Sequence, residues 1–173
     1  MKKYAVILAI LLTLTTKLTA QITITEFNAN TDYHEVTALC TQEWDLLFLL
    51  PFDQRIINRM FIHRRPGDTS FPHTELFITV IKEDEAIRGF ITYYYKTSHI
   101  LQVELLAVDK NYRGKGYGKR LLEHAFLCGK KEQARELQLY VFTRNKKGIE
   151  FYTKLGFSPL KKHPLYLLLA KPI

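Results

Sequence analysis

The 173-residue chain has few cysteines, and its histidines are not spaced as metal ligands are. Its two cysteines, Cys40 and Cys128, could form at most one disulfide, which excludes a disulfide-rich scaffold. Both lie on apolar faces of predicted helices, which favours buried thiols. The six histidines have no close metal-ligand spacing, so no metal site is predicted. Repeats, low-complexity tracts and a boundary to a second domain are also lacking, and a single globular domain is expected.

Acidic residues are also scarce relative to basic ones. The chain has 25 Lys and Arg against 17 Asp and Glu, a formal net charge of +8. This excess would suit nucleic acid, an anionic membrane or a phosphorylated ligand, and the charge alone does not choose among them. A nucleic-acid-binding domain is the weakest of these alternatives, because the sequence has no recognisable readout motif.

The N-terminal apolar run is too short to span a membrane. The segment "MKKYAVILAILLTLTTKLTAQ" has a basic start, an apolar stretch over about residues 4–14 and a small residue at Ala20. The stretch is well below the ~18 residues of a membrane span, and the pattern is typical of a secretory signal peptide. We therefore predict a signal peptide over residues 1–20 and one domain over residues 21–173. A first strand, a core helix or a start codon placed too early are the alternatives.

Hydrophobic periodicity predicts a strand and two helices in the first part of that domain. "QITITEF" alternates as a strand does, and "NANTD" then offers helix-capping side chains. Pro51 separates the two helices, and the loop Arg65 to Thr74 follows them. The first helix should bury an apolar stripe of Val36, Leu39, Cys40, Trp44 and Leu47. The second, "FDQRIINRMFIHRR", should bury Ile56, Met60 and Phe61.

The rest of the chain predicts an α/β fold with a mixed sheet. Three strands, about Glu75 to Lys82, Ala86 to Lys96 and His99 to Val108, have short links and should form an antiparallel meander. A helix from about Gly116 to Lys131, with Leu121, Leu122 and Ala125 inward, then leads to the strand "LQLYVFT". A crossover of this length makes that strand parallel to "LQVELLAV". A short helix, "KKGIEFYTKL", and a final strand, "LYLLLA", complete the fold.

A glycine-rich turn, "YRGKGYGKRLL", lies where the strand "VELLAV" meets the predicted helix. Glycines let a ligand approach backbone N–H groups closely, and four cations surround them, so an anion is the expected ligand. The glycines are spaced by two, which excludes the dinucleotide pattern G-x-G-x-x-G. A P-loop is excluded because Arg120 follows Lys119 where Ser or Thr is required.

What remains is R-x-x-G-x-G over Arg113 to Gly118, and here the chain resembles the GNAT family of N-acetyltransferases. "VELLAVDKNYRGKGYGKRLLEHA" is similar to the family's strand, loop and helix. "TRNKKGIEFYTKLGF" resembles its second hallmark, with an Asn, a short helix, a Tyr and a closing Gly-Phe. The resemblance runs from about Ile22 to Ala170. It implies a mixed sheet whose two central parallel strands splay apart, and an acetyl transfer to an amine.

The resemblance also implies how acetyl coenzyme A would bind. Its diphosphate would meet backbone N–H groups of the glycine turn at a helix N-terminus, and its pantetheine arm would bond the strand backbone in the splay. Some of the surrounding cations could instead form a merely solvated basic face. The residues predicted to contact the cofactor are Leu106, Val108, Arg113, Gly114, Lys115, Gly116, Tyr117, Gly118, Lys119 and Asn145.

Two side chains match the family's catalytic positions. Glu104 would take the proton of the amine through water, since a lysine-type amine is almost wholly protonated at pH 7. Tyr152 would return a proton to the departing thiolate. Glu104 could instead be a strand carboxylate paired with a cation, and Tyr152 a core tyrosine. Gly148 departs from the alanine that the family often has, which would loosen the short helix.

The resemblance leaves the acceptor and the compartment open. Acceptor specificity is expected from the region Trp44 to Thr74 and the last strands, and one or two rings of Tyr93 to Tyr95 could line the acceptor cleft. A binding module that keeps the cofactor pocket without turnover is the competing hypothesis.

The signal peptide predicts export, yet acetyl coenzyme A is kept inside cells. Delivery into another cell, or a retained segment in a cytoplasmic enzyme, would resolve this conflict.

Overall fold

The computed structural model describes residues 20–48, 53–61 and 75–173. Apart from Ala20, the predicted signal peptide lies outside the described residues. Pro51 and the predicted loop Arg65 to Thr74 lie outside them as well.

Seven strands in the described part of the chain form one mixed sheet, in the order β1-β2-β3-β4-β5-β7-β6. The pair β4 and β5 is parallel, and the other neighbouring pairs are antiparallel. The antiparallel meander β2-β3-β4 and the parallel pair β4-β5 agree with the sequence prediction. The strands are β1 (Ile22–Glu26), β2 (Phe77–Glu83), β3 (Ala86–Thr97), β4 (Ile100–Val108), β5 (Glu136–Phe142), β6 (Ser158–Lys162) and β7 (Tyr166–Pro172).

Helices cover both faces of this sheet. The described helices are α1 (Ala29–Gln42), α2 (Trp44–Leu47), α3 (Gln54–Phe61), α4 (Tyr117–Lys131) and α5 (Lys146–Lys154), and a 3-10 turn spans Lys110–Tyr112. One face packs against α4, whose Leu121, Leu122 and Ala125 are buried as predicted. The other face packs against α1 and α3. The fold class predicted from sequence is confirmed.

The first predicted helix is wrong in its extent. Glu43 leaves the helical conformation (φ −100°, ψ 9°), so α1 ends at Gln42 and the short helix α2 begins at Trp44. Trp44 is buried and stacks on Phe48, with ring centroids 4.1 Å apart, whereas Leu47 is only partly buried. We call residues 43–48 the corner. Propensity alone did not reveal the break, because the apolar spacing continues across it.

The second helix was also predicted with the wrong buried residue. Ile57 is fully buried on α3, whereas Ile56 is only partly buried. Met60 and Phe61 are buried as predicted. Ile56 and Ile57 are adjacent and equally apolar, so the sequence pattern does not show which of them faces the sheet.

Strand β6 was missed by the sequence analysis. All five of its residues are exposed. Its sequence, "SPLKK", has a proline and two lysines, which suit an edge strand and give no alternating apolar pattern.

A β-bulge in β4 determines the shape of the sheet centre. Tyr93 pairs with Val103 and Thr92 with Leu105, so Glu104 is an extra residue in β4. The parallel pairing of β4 with β5 runs from Ile100 opposite Glu136 to Val103 opposite Leu139 and ends there, although both strands are wholly described. The central strands therefore diverge from Glu104 onward, which confirms the predicted splay.

A buried carboxylate joins α1 to the sheet. Asp32 is 2% exposed, and its Oδ1 lies 2.8 Å from Nζ of Lys82 on β2. Its Oδ2 accepts a hydrogen bond from the N–H of Asn28, and its Oδ1 accepts one from the Thr31 hydroxyl. Burial raises the pKa of Asp32, but Lys82 and these hydrogen bonds outweigh burial and hold the pKa below its usual value.

We expect Asp32→Asn to lower the free energy of unfolding at pH 7 by about 3 kcal/mol, because the partly buried Lys82 ammonium loses its counter-charge. The pKa of Asp32 is lower in the folded than in the unfolded chain. Its stabilisation is therefore fully present well above about pH 4, the unfolded value, and is lost as the pH falls through the folded value. Denaturant unfolding of both proteins across this pH range measures the difference.

The matched control is Glu150→Gln, which removes a carboxylate from an exposed pair with Lys154 on α5. This variant should unfold nearly as the wild type does. A pH-independent difference between the wild type and Asp32→Asn would contradict the assignment.

Candidate active site

The gap between β4 and β5 exposes unpaired strand backbone. The N–H of Leu105 bonds to Thr92 Oγ1 and the N–H of Asp109 bonds to the Arg88 carbonyl, so both face β3. Backbone groups alternate in direction along a strand, which turns those of Leu106 and Val108 into the gap. The Val108 carbonyl indeed accepts a hydrogen bond of 3.1 Å from Nε of Arg113 on the gap side. This edge can bond an extended ligand.

The glycine turn lies at the open end of this gap. Gly114 and Gly116 have φ of +79° and +88°, the left-handed region in which glycine is favoured. A Cβ at either position would have no atom within 4 Å, so the space beside both is open. A ligand can therefore approach the turn backbone closely.

Helix α4 begins directly at this turn. Gly116 is its N-cap, and Arg120 donates the first intrahelical bond, of 3.0 Å, to the Gly116 carbonyl. The N–H groups of Tyr117, Gly118 and Lys119 precede that bond, so they have no intrahelical acceptor. They form the partly positive end of the helix, where an anion is stabilised.

The Arg113 side chain makes contacts within the protein, although it is half-exposed and lines the candidate cavity. Its guanidinium pairs with the carboxylate of Glu43, which is 7% exposed, while its Nε bonds to Val108. The pair links the glycine turn to the corner. Much of the charge of Arg113 is thus neutralised by Glu43.

Two other side chains of the turn, Lys115 and Tyr117, also make contacts within the protein, whereas Lys119 is exposed and lines the cavity. Lys115 lies over the ring of Tyr112, with Nζ 4.3 Å from the centroid. The Tyr117 ring is buried, and its hydroxyl donates a 2.7 Å bond to Glu83. Burial and this carboxylate raise the pKa of Tyr117 to about 12. Of the predicted turn contacts, Tyr117 offers only its N–H group.

One cavity of about 560 Å³ brings the predicted residues together. It lies between the diverging strands, the glycine turn, α5 and the corner, and all predicted site residues line it except Lys115. Glu104 stands at the bulge where the strands part, with its Oε2 shielded from solvent. Both predicted catalytic residues thus face the same space.

Tyr152 projects from α5 within an aromatic cluster. Its ring centroid lies 5.1 Å from that of Phe151 and 5.7 Å from that of Phe157. Burial raises the pKa of Tyr152 above its usual value. The phenol therefore stays protonated at neutral pH and is available as a proton donor.

Asn145 caps helix α5. Its Oδ1 accepts a 2.9 Å hydrogen bond from the N–H of Gly148. A Cβ on residue 148 would lie 2.7 Å from Nδ2 of Asn145, so an alanine would push the cap aside. The glycine that departs from the family pattern thus makes room for the Asn145 side chain at the cavity wall.

The sequence analysis missed the contribution of the corner. Glu43, Leu46 and Leu47 line the cavity opposite the glycine turn. Arg144, after β5, donates hydrogen bonds to the carbonyls of Asp45 and Phe48 and holds the corner from the other side. Their partners are 70 residues or more away in sequence, so no local signal indicates them.

The tyrosines of β3 do not line this cavity, and their predicted place in an acceptor cleft stays a prediction. Tyr93 and Tyr95 instead line a separate cavity near β1 and β2, and Tyr94 is buried. Tyr93, Tyr94 and Tyr95 pair with Val103, Gln102 and Leu101 of β4, which is the part of β4 that is still paired with β5.

Both cysteines are free thiols, and Cys128 is only half-buried, in contrast to the buried thiol predicted. Within residues 20–48, 53–61 and 75–173, no three His, Cys, Asp or Glu side chains come together as metal ligands would. None of the helices in these ranges has the length and apolar character to cross a membrane.

Comparisons with known proteins agree with this geometry. The model of the acetyltransferase (GNAT) family matches residues 34–157. An uncharacterized N-acetyltransferase of Methanocaldococcus jannaschii is 34% identical over 74 residues, which cover 43% of this chain and 33% of that protein. The chain thus spans about a third of that curated relative's length.

Solved structures share the fold at low sequence identity. The PaiA N-acetyltransferase of Thermoplasma acidophilum in complex with coenzyme A has a TM-score of 0.69 at 19% identity, covering 88% of this chain and 99% of that chain. A GNAT family acetyltransferase of Elizabethkingia anophelis with acetyl-CoA bound has a TM-score of 0.60 at 18% identity, covering 88% and 98%. Because the family match extends over most of the sequence and includes the glycine turn and the strands beside it, this chain belongs to the acetyltransferase (GNAT) family.

Proposed function

We propose that the chain transfers an acetyl group from acetyl coenzyme A directly to an amine. The observation that carries this proposal is that one cavity combines a divergent strand edge, an open helix N-terminus and the side chains of Glu104 and Tyr152. The coenzyme complexes of the two structural neighbours support the choice of donor.

The residues present fit such a donor. The N–H groups at the start of α4 suit a diphosphate, and the left-handed glycines leave space for it. The backbone of Leu106 and Val108 suits the amide-bearing pantetheine arm, which would bond to β4 as a strand does. A backbone N–H that also faces the thioester carbonyl can stabilise its developing negative charge by about 3 kcal/mol.

Glu104 would supply the base. The attacking amine forms a C–N bond to the thioester carbon and must lose a proton, which Glu104 accepts through water. Its place at the bulge puts it where the strand edge opens, beside the expected thioester.

Tyr152 would supply the acid. When the C–S bond breaks, the thiolate of coenzyme A takes the phenolic proton. The raised pKa of Tyr152 ensures that the proton is present at neutral pH. No covalent acetyl-enzyme is required, because donor and acceptor meet in one cavity.

The acceptor is proposed only as an amine, since the described lining does not choose among small amines, lysines and protein N-termini. Mass spectrometry of an amine library incubated with acetyl coenzyme A and the purified protein tests the proposal. An acetylated product that forms about 100-fold more slowly in the matched Tyr152→Phe reaction supports it. Coenzyme binding with no product from any amine would favour the competing hypothesis, a binding module without turnover.

We expect Gly116→Asp to weaken coenzyme A binding by at least about tenfold, because a carboxylate would stand where the diphosphate belongs. Gly116→Asn is the matched control, since Asn has nearly the same shape and tolerates left-handed backbone. The Asn variant should lose less affinity than the Asp variant. Equal calorimetric affinities for wild type and Gly116→Asp, both folded, would remove the diphosphate from this turn.

Tyr152→Phe is expected to lower kcat about 100-fold with little change in coenzyme affinity, since only the transferred proton is lost. The wild-type rate should not fall through ionisation of Tyr152 at any pH below about 10. Steady-state rates between pH 6 and 10 measure both effects.

Glu104→Gln should lose activity mainly at low pH, where the amine is most protonated and the base is most needed. The ratio of wild-type to variant kcat/KM should therefore fall as the pH rises. Wild-type rates for both Glu104→Gln and Tyr152→Phe across the range would place the chemistry elsewhere.

We propose further that residues 1–20 are removed and that the mature chain begins at Gln21. The basic start, the short apolar stretch and the small residue at Ala20 support this. N-terminal sequencing of protein from each cell fraction tests it. A chain that starts at Gln21 outside the membrane is expected, and an intact Met1 in the cytoplasm would contradict export.

A further inference from the structure

A second cavity of about 850 Å³ lies apart from the acetyl-transfer site. Its walls are the start of β2, the end of β1, two tyrosines of β3 and the C-terminal half of α4. No described residue lines both cavities. The proposed reaction gives this space no role.

Aromatic rings form much of its wall. The rings of Phe77 and Tyr93 are stacked with centroids 5.4 Å apart, and that of Tyr95 meets Phe77 at 84° and 5.8 Å. All three line the cavity, as does Phe27. Aromatic faces attract cations through their quadrupole, particularly where water is partly excluded.

The charges of the lining have the opposite sign to those of the chain. Three carboxylates, Glu26, Glu75 and Glu132, face a single ammonium, Lys131, in a chain of net charge +8. Burial lowers the pKa of His124, although Glu26 opposes this shift, so the imidazole adds no charge at pH 7. The cavity is therefore locally acidic.

Two of the carboxylates also influence other groups of the lining. Glu26 interacts electrostatically with His124, and Glu132 does so with Tyr95. Glu26, Glu75 and Glu132 are all exposed, so the wall combines aromatic rings with solvent-facing carboxylates.

Most other polar groups of the wall have partners within the protein. The Tyr95 hydroxyl donates a 3.2 Å hydrogen bond to the Cys128 carbonyl, and Cys128 Sγ lies 3.6 Å from His124 Nε2. The rings and the carboxylates are thus the groups left to meet a ligand.

We propose that this cavity binds an organic cation, an alkylammonium or quaternary ammonium group held by the rings of Phe77, Tyr93 and Tyr95 and by the carboxylates of Glu26 and Glu132. Its volume is within the range of small-molecule sites. The site is separate from the candidate active site, because the two cavities share no lining residue. A quaternary ammonium probe also has no N–H to acetylate, so its binding can be measured apart from acetyl transfer.

Cys128 gives a local readout of occupancy. Its half-buried thiol lines the cavity, whereas Cys40 is fully buried and serves as an internal control within each sample. The rate at which iodoacetamide alkylates Cys128, followed by mass spectrometry, should fall several-fold in saturating choline. The neutral isostere 3,3-dimethyl-1-butanol has the same shape without the charge. It should therefore need about a tenfold higher concentration than choline to give the same protection of Cys128.

Variants test the carboxylates and the aromatic rings separately. Glu26→Gln with Glu132→Gln should abolish the preference for choline over its isostere, and Phe77→Leu should weaken protection by choline. Glu150→Gln, an exposed carboxylate on α5, is the matched charge control and should change nothing. Should Cys128 resist alkylation, calorimetric titration of choline into the same proteins gives the equivalent comparison.

Two results would overturn the proposal. Choline that neither protects Cys128 nor binds by calorimetry would show that the cavity takes no organic cation. Equal protection by choline and its isostere would show an apolar site without charge recognition. Neither Cys128 alkylation nor choline calorimetry depends on acetyl transfer. Failure of the proposed acetyl transfer can therefore be distinguished from failure of cation binding.

Discussion

The parting of β4 from β5 is the constraint on which the candidate active site depends. A sheet normally satisfies every inner strand on both sides, and unsatisfied backbone groups are costly when buried. Here the extra residue Glu104 ends the parallel pairing after Val103 and Leu139, and the backbone of Leu106 and Val108 is left facing a cavity. The bulge thus converts a structural core into a surface that a strand-like ligand can complete, and it places a carboxylate at the same point.

The cavity keeps its form through contacts between parts distant in sequence. The ion pair of Arg113 with Glu43 holds the corner against the glycine turn, and the hydrogen bonds of Arg144 hold it against the end of β5. In this pair Glu43 is buried and Arg113 is half-exposed, so desolvation of the carboxylate offsets part of the attraction, and the pair fixes geometry more than it adds stability. In the proposed function, Arg113 of the glycine motif would therefore position the turn, while the backbone at the start of α4 would bind the anion.

The sequence predicted most of the fold and most of the residues that line the cavity, because both depend on local patterns. The meander and the crossover follow from periodicity, and the open glycine turn follows from the short motif that contains Gly114 and Gly116. Strand β6 was missed because an exposed edge has no apolar alternation, and the break at Glu43 because the apolar stripe runs across it. The role of Glu43, and the cavity of β3 tyrosines, depend on long-range packing that one sequence does not reveal. The sequence-based roles of Glu104 and Tyr152 remain predictions, although both residues line the cavity.

The divergence also leaves unpaired strand backbone at the centre of the sheet as well as at its two outer edges. The outer edges are β1 and β6, and β6 carries a proline and lysines that discourage the addition of another chain's strand. The inner edges at Leu106 and Val108 cannot use that device, because a charge or a missing N–H there would also repel the intended ligand. These inner strand segments instead line a cavity that the glycine turn, α5 and the corner also border, so they do not form an open edge of the sheet. The corner that shapes the cavity therefore also limits the access of another chain's strand to this backbone.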